Sequence, residues 1–336
     1  MVKHEQIKQS KSIQKQTGKT FHLATRVLPE RVRHATYVLY AFFRVADEVV
    51  DAADTAPPAE QRSELERLRK EALGEQETED PVLSAFAELT DIYDINPDDI
   101  NVFIEAMETD VDTSRYETYA ELESYMDGSA AAVGRMMTAI MEPAQPERAL
   151  PHATALGEAF QMTNFIRDVG EDVVDRDRIY LPQETLSKHE IPESQVLDRE
   201  FDGSIKSAIQ DELQRTEALY REGVAGIQYL PEDCQFAVLL AAVLYADHHR
   251  AIRRVEYDVL STTPSLSSMR KFWLFLKTRA HWTVSDDPEE IFKQVSDVPY
   301  PDGAEPETRP TAWSTRATGF FGRRFSSLVR HLTRGE

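Results

Sequence analysis

Two stretches of this chain carry oxygen-bearing side chains every four residues within otherwise apolar sequence. The first ladder holds Asp47 and Asp51, and the second holds Asn164, Asp168 and Asp172. Four residues are a little over one helical turn, so each ladder is predicted to lie on one helix face with members about 6 Å apart. Buried like charges are costly unless they are paired or bind a metal. We therefore expect the fold to turn both ladders toward one enclosed space.

Together the two ladders predict a Mg²⁺ site, with Mn²⁺ as the alternative ion. Mg²⁺ binds a few carboxylates and completes its octahedron with water and substrate phosphates. The expected activity is therefore that of a diphosphate enzyme, although the sequence holds no GxxxxGK[ST] phosphate loop. Spacing alone is a weak signal, because the chain has 59 acidic residues in 336 and most such pairs lie on solvated helix faces. The apolar surroundings of both ladders favour the metal interpretation.

Apolar residues recur at helical spacing along most of the chain, and glycine is scarce at 13 residues. These patterns predict an all-α fold in which a single large helical domain encloses a central cavity. Proline-containing turn signals separate the candidate helices, which cover 5–17, 31–53, 59–74, 81–93, 97–109, 117–141, 147–175, 203–228, 232–258 and 266–282. Residues 176–200 are expected to be a polar connection.

We expect the helical domain to occupy residues 1–290, an acidic and proline-rich linker to cover 291–314, and a basic amphipathic tail to form 315–336. From Trp313 onward the chain has five arginines and one acidic residue. Its apolar residues fall on one helical stripe, formed by Phe321, Phe325, Leu328, Val329 and Leu332. Such a tail is expected to make peripheral contact with an anionic membrane. A helix docked on the domain is the alternative.

Charge and cysteine content limit the classes of partner and the cellular compartment that we expect. A net charge of -21 makes a broad nucleic-acid-binding surface improbable on electrostatic grounds. Acid excess with few lysines is typical of proteins adapted to high salt, as in a halophilic archaeon. A lone cysteine, Cys234, allows no intrachain disulfide and fits a reducing cytoplasm. The longest apolar run has 11 residues, from Phe236 to Ala246, which is too short to span a bilayer.

Four segments resemble the phytoene synthases, within the head-to-head prenyl synthase family that also contains squalene and dehydrosqualene synthases. They are KTFHLATRVLPERVRHATYVLYAFFRVADEVVD, YMDGSAAAVG from Tyr125, QMTNFIRDVGEDVVDRDRIYLP and YDVLSTTPSLSSMRKFW from Tyr257. They occur in the family's order over about residues 10 to 282. The resemblance implies an all-α domain of the isoprenoid synthase type.

The resemblance also implies a reaction and a set of roles. Two geranylgeranyl diphosphates would be joined to phytoene through a cyclopropyl diphosphate, in carotenoid biosynthesis. The implied metal ligands are Asp47, Asp51, Asn164, Asp168 and Asp172. The implied catalytic residues are Asp47, Asp51, Tyr125, Asp168 and Asp172. The implied substrate-binding residues are Thr20, Phe21, Arg44, Gln161, Asn164, Arg167, Tyr257 and Arg270.

Two alternatives stay open at this point. A squalene or dehydrosqualene synthase using farnesyl diphosphate would share the same aspartate motifs. A non-catalytic family member acting as a scaffold would be expected to have lost metal ligands, and here all five are present. The sequence departs from the family's pattern at Gly18 and at Asp127, so it leaves the role of Asp127 in the pocket undecided. It also leaves the oligomeric state open.

Overall fold

The computed structural model describes residues 23–51 and 56–301, and of Asp51 it describes the backbone alone. The described residues form helices and connecting turns, with one isolated bridge between Arg115 and Ile179. The α-helices are α1 Glu30–Asp51, α2 Pro58–Ala72, α3 Pro81–Tyr93, α4 Pro97–Thr109, α5 Tyr119–Met126, α6 Ala132–Met141, α7 Pro146–Arg167, α8 Val169–Arg176, α9 Gln183–Lys188, α10 Glu193–Leu197, α11 Gly203–Ala225, α12 Glu232–Arg254, α13 Ser268–Trp282 and α14 Pro288–Val295. A π-helical segment, Asp127–Ala131, joins α5 to α6, and a 3₁₀ turn, Ile227–Tyr229, follows α11. The predicted all-α fold is confirmed.

Several helix bounds follow directly from local sequence. The predicted helices 81–93 and 97–109 are α3 and α4. Each begins with a proline at its first position and a capping side chain before it. Asp80 accepts a hydrogen bond from the backbone N–H of Val82 at 2.7 Å, and Asn96 accepts one from Asp98 at 3.2 Å. Such caps satisfy backbone donors that have no partner within the helix, which fixes where the helix starts.

Other segments differ from the expected pattern or fall outside it. The expected polar connection at 176–200 contains the short helices α9 and α10. The expected domain end at residue 290 falls within α14, whose Ile291, Phe292 and Val295 are buried. The compact structural unit that contains these helices extends to Pro299. The predicted helix 5–17 and the tail 315–336 lie outside the described residues, as does most of the predicted linker.

The long helix α7 is the centre of the fold, with α6, α11 and α12 packed around it. It also packs closely against the π-helical segment, where Gly157 faces the backbone of Ala130. A Cβ added to Gly157 would lie only 2.6 Å from the carbonyl oxygen of Ala130. The missing side chain therefore lets the two backbones approach. Of the helices in the described ranges, none has the length and apolar character needed to cross a membrane.

A buried arginine ties three parts of this core together. Arg135 of α6 donates to Asp99 of α4 at 2.6 Å and to Asp127 of the π-helical segment at 2.8 Å. A longer bond of 3.5 Å reaches Thr154 of α7. Asp127 does not line the central cavity described below. Its place in the structure is therefore an ion pair behind the cavity wall.

We expect Arg135→Met to lower the free energy of unfolding by about 3–5 kcal/mol, because it leaves Asp99 buried without its cationic partner. The measurement is the urea midpoint at an unchanged m-value. The matched control is Arg62→Met, which removes an exposed pair with Asp112 and should cost less than about 1 kcal/mol. Equal losses in the two variants would contradict the structural role given to Arg135.

Candidate active site

An elongated cavity of about 880 Å³ runs along α7. Lining residues on α7 and at its C-terminal end extend from Ala149 to Asp168, which corresponds to roughly 28 Å at 1.5 Å per residue. At the N-terminal end of α7 the lining is mainly apolar, with Met141, Ile227 and Leu230. Toward its C-terminal end the carboxylates and arginines gather. The cavity therefore has a polar end and an apolar length, as a lipid diphosphate requires.

Both ladders contribute to the polar end. Asp47 of the first ladder lines the cavity from α1, and Asn164, Asp168 and Asp172 of the second line it from α7 and α8. The side chain of Asp51 lies outside the described part of the chain. The expectation that both ladders would line one central cavity is met by the four ladder residues whose side chains the structure describes.

The second ladder crosses a break between two helices. Helix α7 ends at Arg167 and α8 begins at Val169, with Asp168 between them. The N–H of Asp168 still bonds to the carbonyl of Asn164 at 2.9 Å, and that of Asp172 bonds to the carbonyl of Asp168 at 2.8 Å. Helical spacing is thus preserved through the bend. The prediction of one continuous helix over 147–175 was wrong at this one position. The ladder keeps its spacing because these backbone hydrogen bonds are present on both sides of the break.

Each described carboxylate of the ladders pairs with an arginine that also lines the cavity. Arg44 donates to Asp47 at 3.1 Å, and Arg167 donates to Asp168 at 2.6 Å. The third pair joins Arg176 to Asp172 at 3.2 Å. These pairs place a positive charge beside each carboxylate in a half-buried site, where an unpaired charge would be costly. They also place three guanidinium groups at the polar end of the cavity.

Asp172 of the second ladder lies in an unfavourable electrostatic environment for a carboxylate. It is buried, and the loss of solvent, followed by repulsion from Asp168, raises the pKa of its carboxyl to about 7. A divalent cation beside these two carboxylates would relieve that repulsion, so the donor set fits the predicted Mg²⁺. Within the described residues, no three acidic, histidine or cysteine side chains already converge on one ion position. Binding an ion would therefore require the carboxylates to turn away from their arginines.

An aromatic cluster adjoins the carboxylates. The rings of Phe165 and Tyr180 stack with centroids 3.9 Å apart, and Tyr125 lies 6.1 Å from Tyr180. All three line the cavity. The hydroxyl of Tyr125 donates to Asp110 at 2.8 Å, which orients its ring. Burial raises the pKa of Tyr125 well above its ordinary value, so the phenol stays protonated.

Sequence reasoning gave no role to several polar residues that line the cavity, namely Asp110, Arg176, Arg178, Tyr180, Tyr245 and His248. Arg178 and Tyr180 belong to the quoted RIYLP segment, which could have suggested them. Asp110 has no spacing signal, because it reaches the cavity from the end of α4. His248 is buried near Arg167, and both effects lower its pKa to about 4. It is therefore neutral at pH 7 and offers no positive charge to a diphosphate.

The remaining predicted residues have different positions. Gln161 lines the cavity one turn from Asn164. Tyr257 and Arg270 do not line it: Lys206 lies 5.5 Å from the ring of Tyr257, and Arg270 makes two hydrogen bonds to Asp247. The structure therefore does not bring these two to the polar end. The predicted Thr20 and Phe21 lie outside the described residues.

The segment after α12 supports the second ladder from behind. The N–H of Gly170, between Asp168 and Asp172, donates to the carbonyl of Val259 at 3.2 Å. A Cβ added to Gly170 would lie 2.2 Å from the carbonyl oxygen of Leu260. This close approach means that the later YDVL segment positions α8, although Tyr257 itself lies away from the cavity.

Comparison with known proteins agrees with this geometry. The family model for squalene/phytoene synthase matches residues 14–271. The chain belongs to the squalene/phytoene synthase family. Its relatives include the phytoene synthase of Rhodobacter capsulatus, which is 31% identical over 76% of this chain and 75% of the relative. The phytoene synthase of Arthrospira platensis is 32% identical over 78% of this chain and 88% of the relative.

Solved structures of the family show the same architecture. A ligand-bound dehydrosqualene synthase superposes with a TM-score of 0.76 at 26% identity, covering 84% of this chain and 98% of that protein. A squalene synthase from Alicyclobacillus acidocaldarius superposes with a TM-score of 0.68 at 23% identity over 75% of this chain and 95% of that chain. The isoprenoid synthase fold implied by the four sequence segments is confirmed.

We expect Gly170→Ala to lower the free energy of unfolding by about 1–3 kcal/mol, because the new methyl group overlaps the carbonyl of Leu260. The measurement is again the urea midpoint. Gly203→Ala is the matched control: a Cβ there meets no atom within 4 Å, and alanine favours a helix, so this variant should be neutral or slightly stabilised. A loss at Gly203 equal to that at Gly170 would argue against the close approach.

Proposed function

We propose that this family member joins two molecules of geranylgeranyl diphosphate head to head to form phytoene, in carotenoid biosynthesis. The observation that carries the proposal is a cavity with described residues of both carboxylate ladders at one end and an apolar lining along the rest of α7. Phytoene synthases that are about 30% identical over three quarters of the chain support the choice of product.

The metal would be held by the two ladders, through Asp47, Asp51, Asn164, Asp168 and Asp172. Bound Mg²⁺, or Mn²⁺ in its place, supplies Lewis acidity that neutralises the charge of a departing diphosphate. Gln161, one turn before Asn164, would support this site by hydrogen bonding.

Three arginines would hold the diphosphates. Arg44, Arg167 and Arg176 now pair with the ladder carboxylates. When the carboxylates turn to other ligands, each guanidinium is left at the polar end with donors for phosphate oxygens. Arginine suits this exchange because its planar fork bonds carboxylate and phosphate in the same bidentate way.

The chemistry then runs in two stages. The C1–O bond of one substrate breaks and its electron pair leaves with diphosphate. The C1 cation adds to the double bond of the second substrate, and loss of a proton closes a cyclopropyl diphosphate. This intermediate loses its own diphosphate, rearranges and gives up a second proton to form phytoene. Two diphosphates and two protons are released, so no reductant is consumed.

The apolar part of the cavity would protect these cations. Water must be kept away from an allylic cation, or it becomes an alcohol. The faces of Tyr125, Phe165 and Tyr180 lie beside the ladder residues and stabilise positive charge through their π-electrons. Tyr125 acts in this proposal as a neutral aromatic surface, since Asp110 already accepts its hydroxyl proton in a hydrogen bond.

A farnesyl diphosphate enzyme making squalene or dehydrosqualene is the second candidate. The observation that favours it is the likeness to a solved dehydrosqualene synthase. The roughly 28 Å of cavity lining from Ala149 to Asp168 favours the longer substrate, since a shorter chain would leave the apolar end unfilled. Squalene formation would in addition require a hydride donor such as NADPH.

We expect Asp168→Asn to reduce diphosphate release from a single substrate by about 10²–10³-fold, because one ligand for the transition-state charge is lost. The measurement is phosphate-coupled detection of diphosphate with Mg²⁺, and chelation of Mg²⁺ should abolish the signal until Mg²⁺ or Mn²⁺ is restored. The matched control is Asp211→Asn, a carboxylate outside the cavity that pairs with Lys188. Near-normal release by Asp168→Asn would reject its assigned role.

We expect geranylgeranyl diphosphate to give phytoene at a rate about tenfold or more above that for farnesyl diphosphate, because the shorter chain forgoes apolar contact in the cavity. NADPH should leave the product unchanged. Product analysis by chromatography with each substrate, with and without NADPH, makes the comparison. Squalene as the main product would favour the second candidate. Absence of product from either substrate, with Mg²⁺ present, would favour a non-catalytic scaffold.

A further inference from the structure

Helix α13 carries a row of large apolar side chains that face solvent. Met269 is 81% exposed, Phe272 60%, Trp273 46% and Leu276 48%. Their spacing of three, one and three residues places all four within an arc of about 100° on the helix surface. We call these four residues the α13 stripe. A contiguous exposed apolar surface of this kind marks an interaction site more often than isolated exposed residues do.

Basic side chains flank the α13 stripe on both sides. Arg270 and Lys277 lie along one edge and Arg279 along the other, as helical geometry requires for their positions. From Ser268 to Val284 the sequence contains no aspartate or glutamate. This local excess of positive charge stands out in a chain whose net charge is -21. The surface is therefore complementary to something both apolar and anionic.

The α13 stripe is held outward by the structure beneath it. On the inner side Leu274 is fully buried, and Phe275 meets Phe236 of α12 with ring centroids 6.2 Å apart. Trp273 lies between two cations, 4.7 Å from Arg270 and 5.4 Å from Lys277.

Both cations are anchored in turn. Arg270 donates twice to Asp247, at 2.6 and 3.0 Å, and Lys277 donates to the carbonyls of Gln294 and Val295. The helix therefore cannot roll to bury its stripe without breaking these contacts.

We propose that the α13 stripe docks this protein onto the surface of an anionic lipid bilayer. An amphipathic helix lies in the plane of the interface with its apolar residues about 5–10 Å deep and its basic flanks among anionic headgroups. Tryptophan favours this interfacial position because one ring combines an apolar body with a polar N–H. The stems of Lys277 and Arg279 would cover acyl chains while their charges stay at headgroup level, whereas the charge of Arg270 is already paired with Asp247.

Charge argues against the other possible occupants of the α13 stripe, which are the two terminal segments of this chain and a second copy of the protein. Residues 1–22 carry five lysines and one acidic residue, and residues 313–336 carry five arginines and one acidic residue. Both segments would be repelled by the basic flanks of α13. A second copy docking through the same face would bring two basic helices together, at a similar cost.

The position of α13 gives such docking a consequence. Helix α13 packs on α12, and α12 supplies Ala237, Val238, Ala241, Tyr245 and His248 to the cavity lining. One wall of the cavity would thus lie a single helix away from the bilayer. The docking surface is independent of the proposed reaction, because none of its residues lines the cavity.

The first test uses Trp273 itself as the reporter. The full-length chain has three tryptophans, so Trp282→Phe with Trp313→Phe leaves Trp273 as the only one. The protein is mixed with phosphatidylcholine vesicles with and without phosphatidylglycerol, at the lowest salt at which circular dichroism shows it folded. We expect a blue shift of Trp273 emission and quenching by acyl-chain-brominated lipid, both stronger with the anionic vesicles.

The second test measures binding by vesicle flotation of the full-length chain. Phe272→Ser with Leu276→Ser should lower the partition into anionic vesicles by about tenfold or more, because two apolar side chains are lost from the stripe. Ile92→Ser is the matched control, since Ile92 is 55% exposed on a different helix and its loss should leave partition unchanged. Near-ultraviolet circular dichroism and the melting temperature verify that each variant is folded.

Three results would overturn the proposal. The first is flotation of the protein without any change in Trp273 emission, which would assign membrane contact to the tail. The second is equal partition of the Phe272→Ser/Leu276→Ser and Ile92→Ser variants. The third is a dimer in analytical ultracentrifugation without lipid that the stripe variant abolishes, which would make a second copy the occupant. None of these measurements depends on catalytic turnover, so failure of the docking proposal is distinguishable from failure of the proposed reaction.

Discussion

The structure depends on holding several carboxylates of like charge at the edge of an apolar cavity. Asp168 and Asp172 lie one helical turn apart, and solvent is largely excluded from the second of them. Carboxylates in such an environment need a nearby positive charge. Each ladder carboxylate whose side chain the structure describes pairs with an arginine close to it in the sequence. The same demand makes the site suitable for a divalent cation and for a polyanionic substrate. Ligand binding would exchange one set of ion pairs for another, with little unpaired charge at any stage.

The rest of the bundle can be understood as support for that polar end. Helix α7 carries ladder residues near its C-terminus and apolar lining along its length, so its position governs both properties of the cavity. Gly170 brings the segment after α12 against α8, and Arg135 ties α4, α6 and the π-helical segment together behind the cavity wall. Substitutions at these positions act on the site through the backbone, without touching a ligand.

The exterior is organised by a different requirement. Most of the chain is strongly acidic, which suits solubility, whereas α13 presents an apolar stripe between basic edges. Under the proposed function, substrate and product are both lipids, and a docking helix beside the cavity wall would shorten their exchange with a membrane. The basic tail predicted from the sequence is a second candidate for membrane contact, outside the described residues.

The helical class, most helix bounds and the two ladders could be predicted from the amino-acid sequence, because apolar periodicity, proline-containing turns and capping residues are local signals. The family could also be predicted, through four motifs in order. Which residues meet at the cavity depends on long-range packing. Asp110 reaches it from the end of α4, whereas Arg270 pairs with Asp247 and Asp127 pairs with Arg135. These positions depend on contacts between residues that are distant in the chain, and such contacts produce no periodic pattern in the sequence. For the same reason the sequence could place Trp273 on a helix, but only packing showed that its side faces outward.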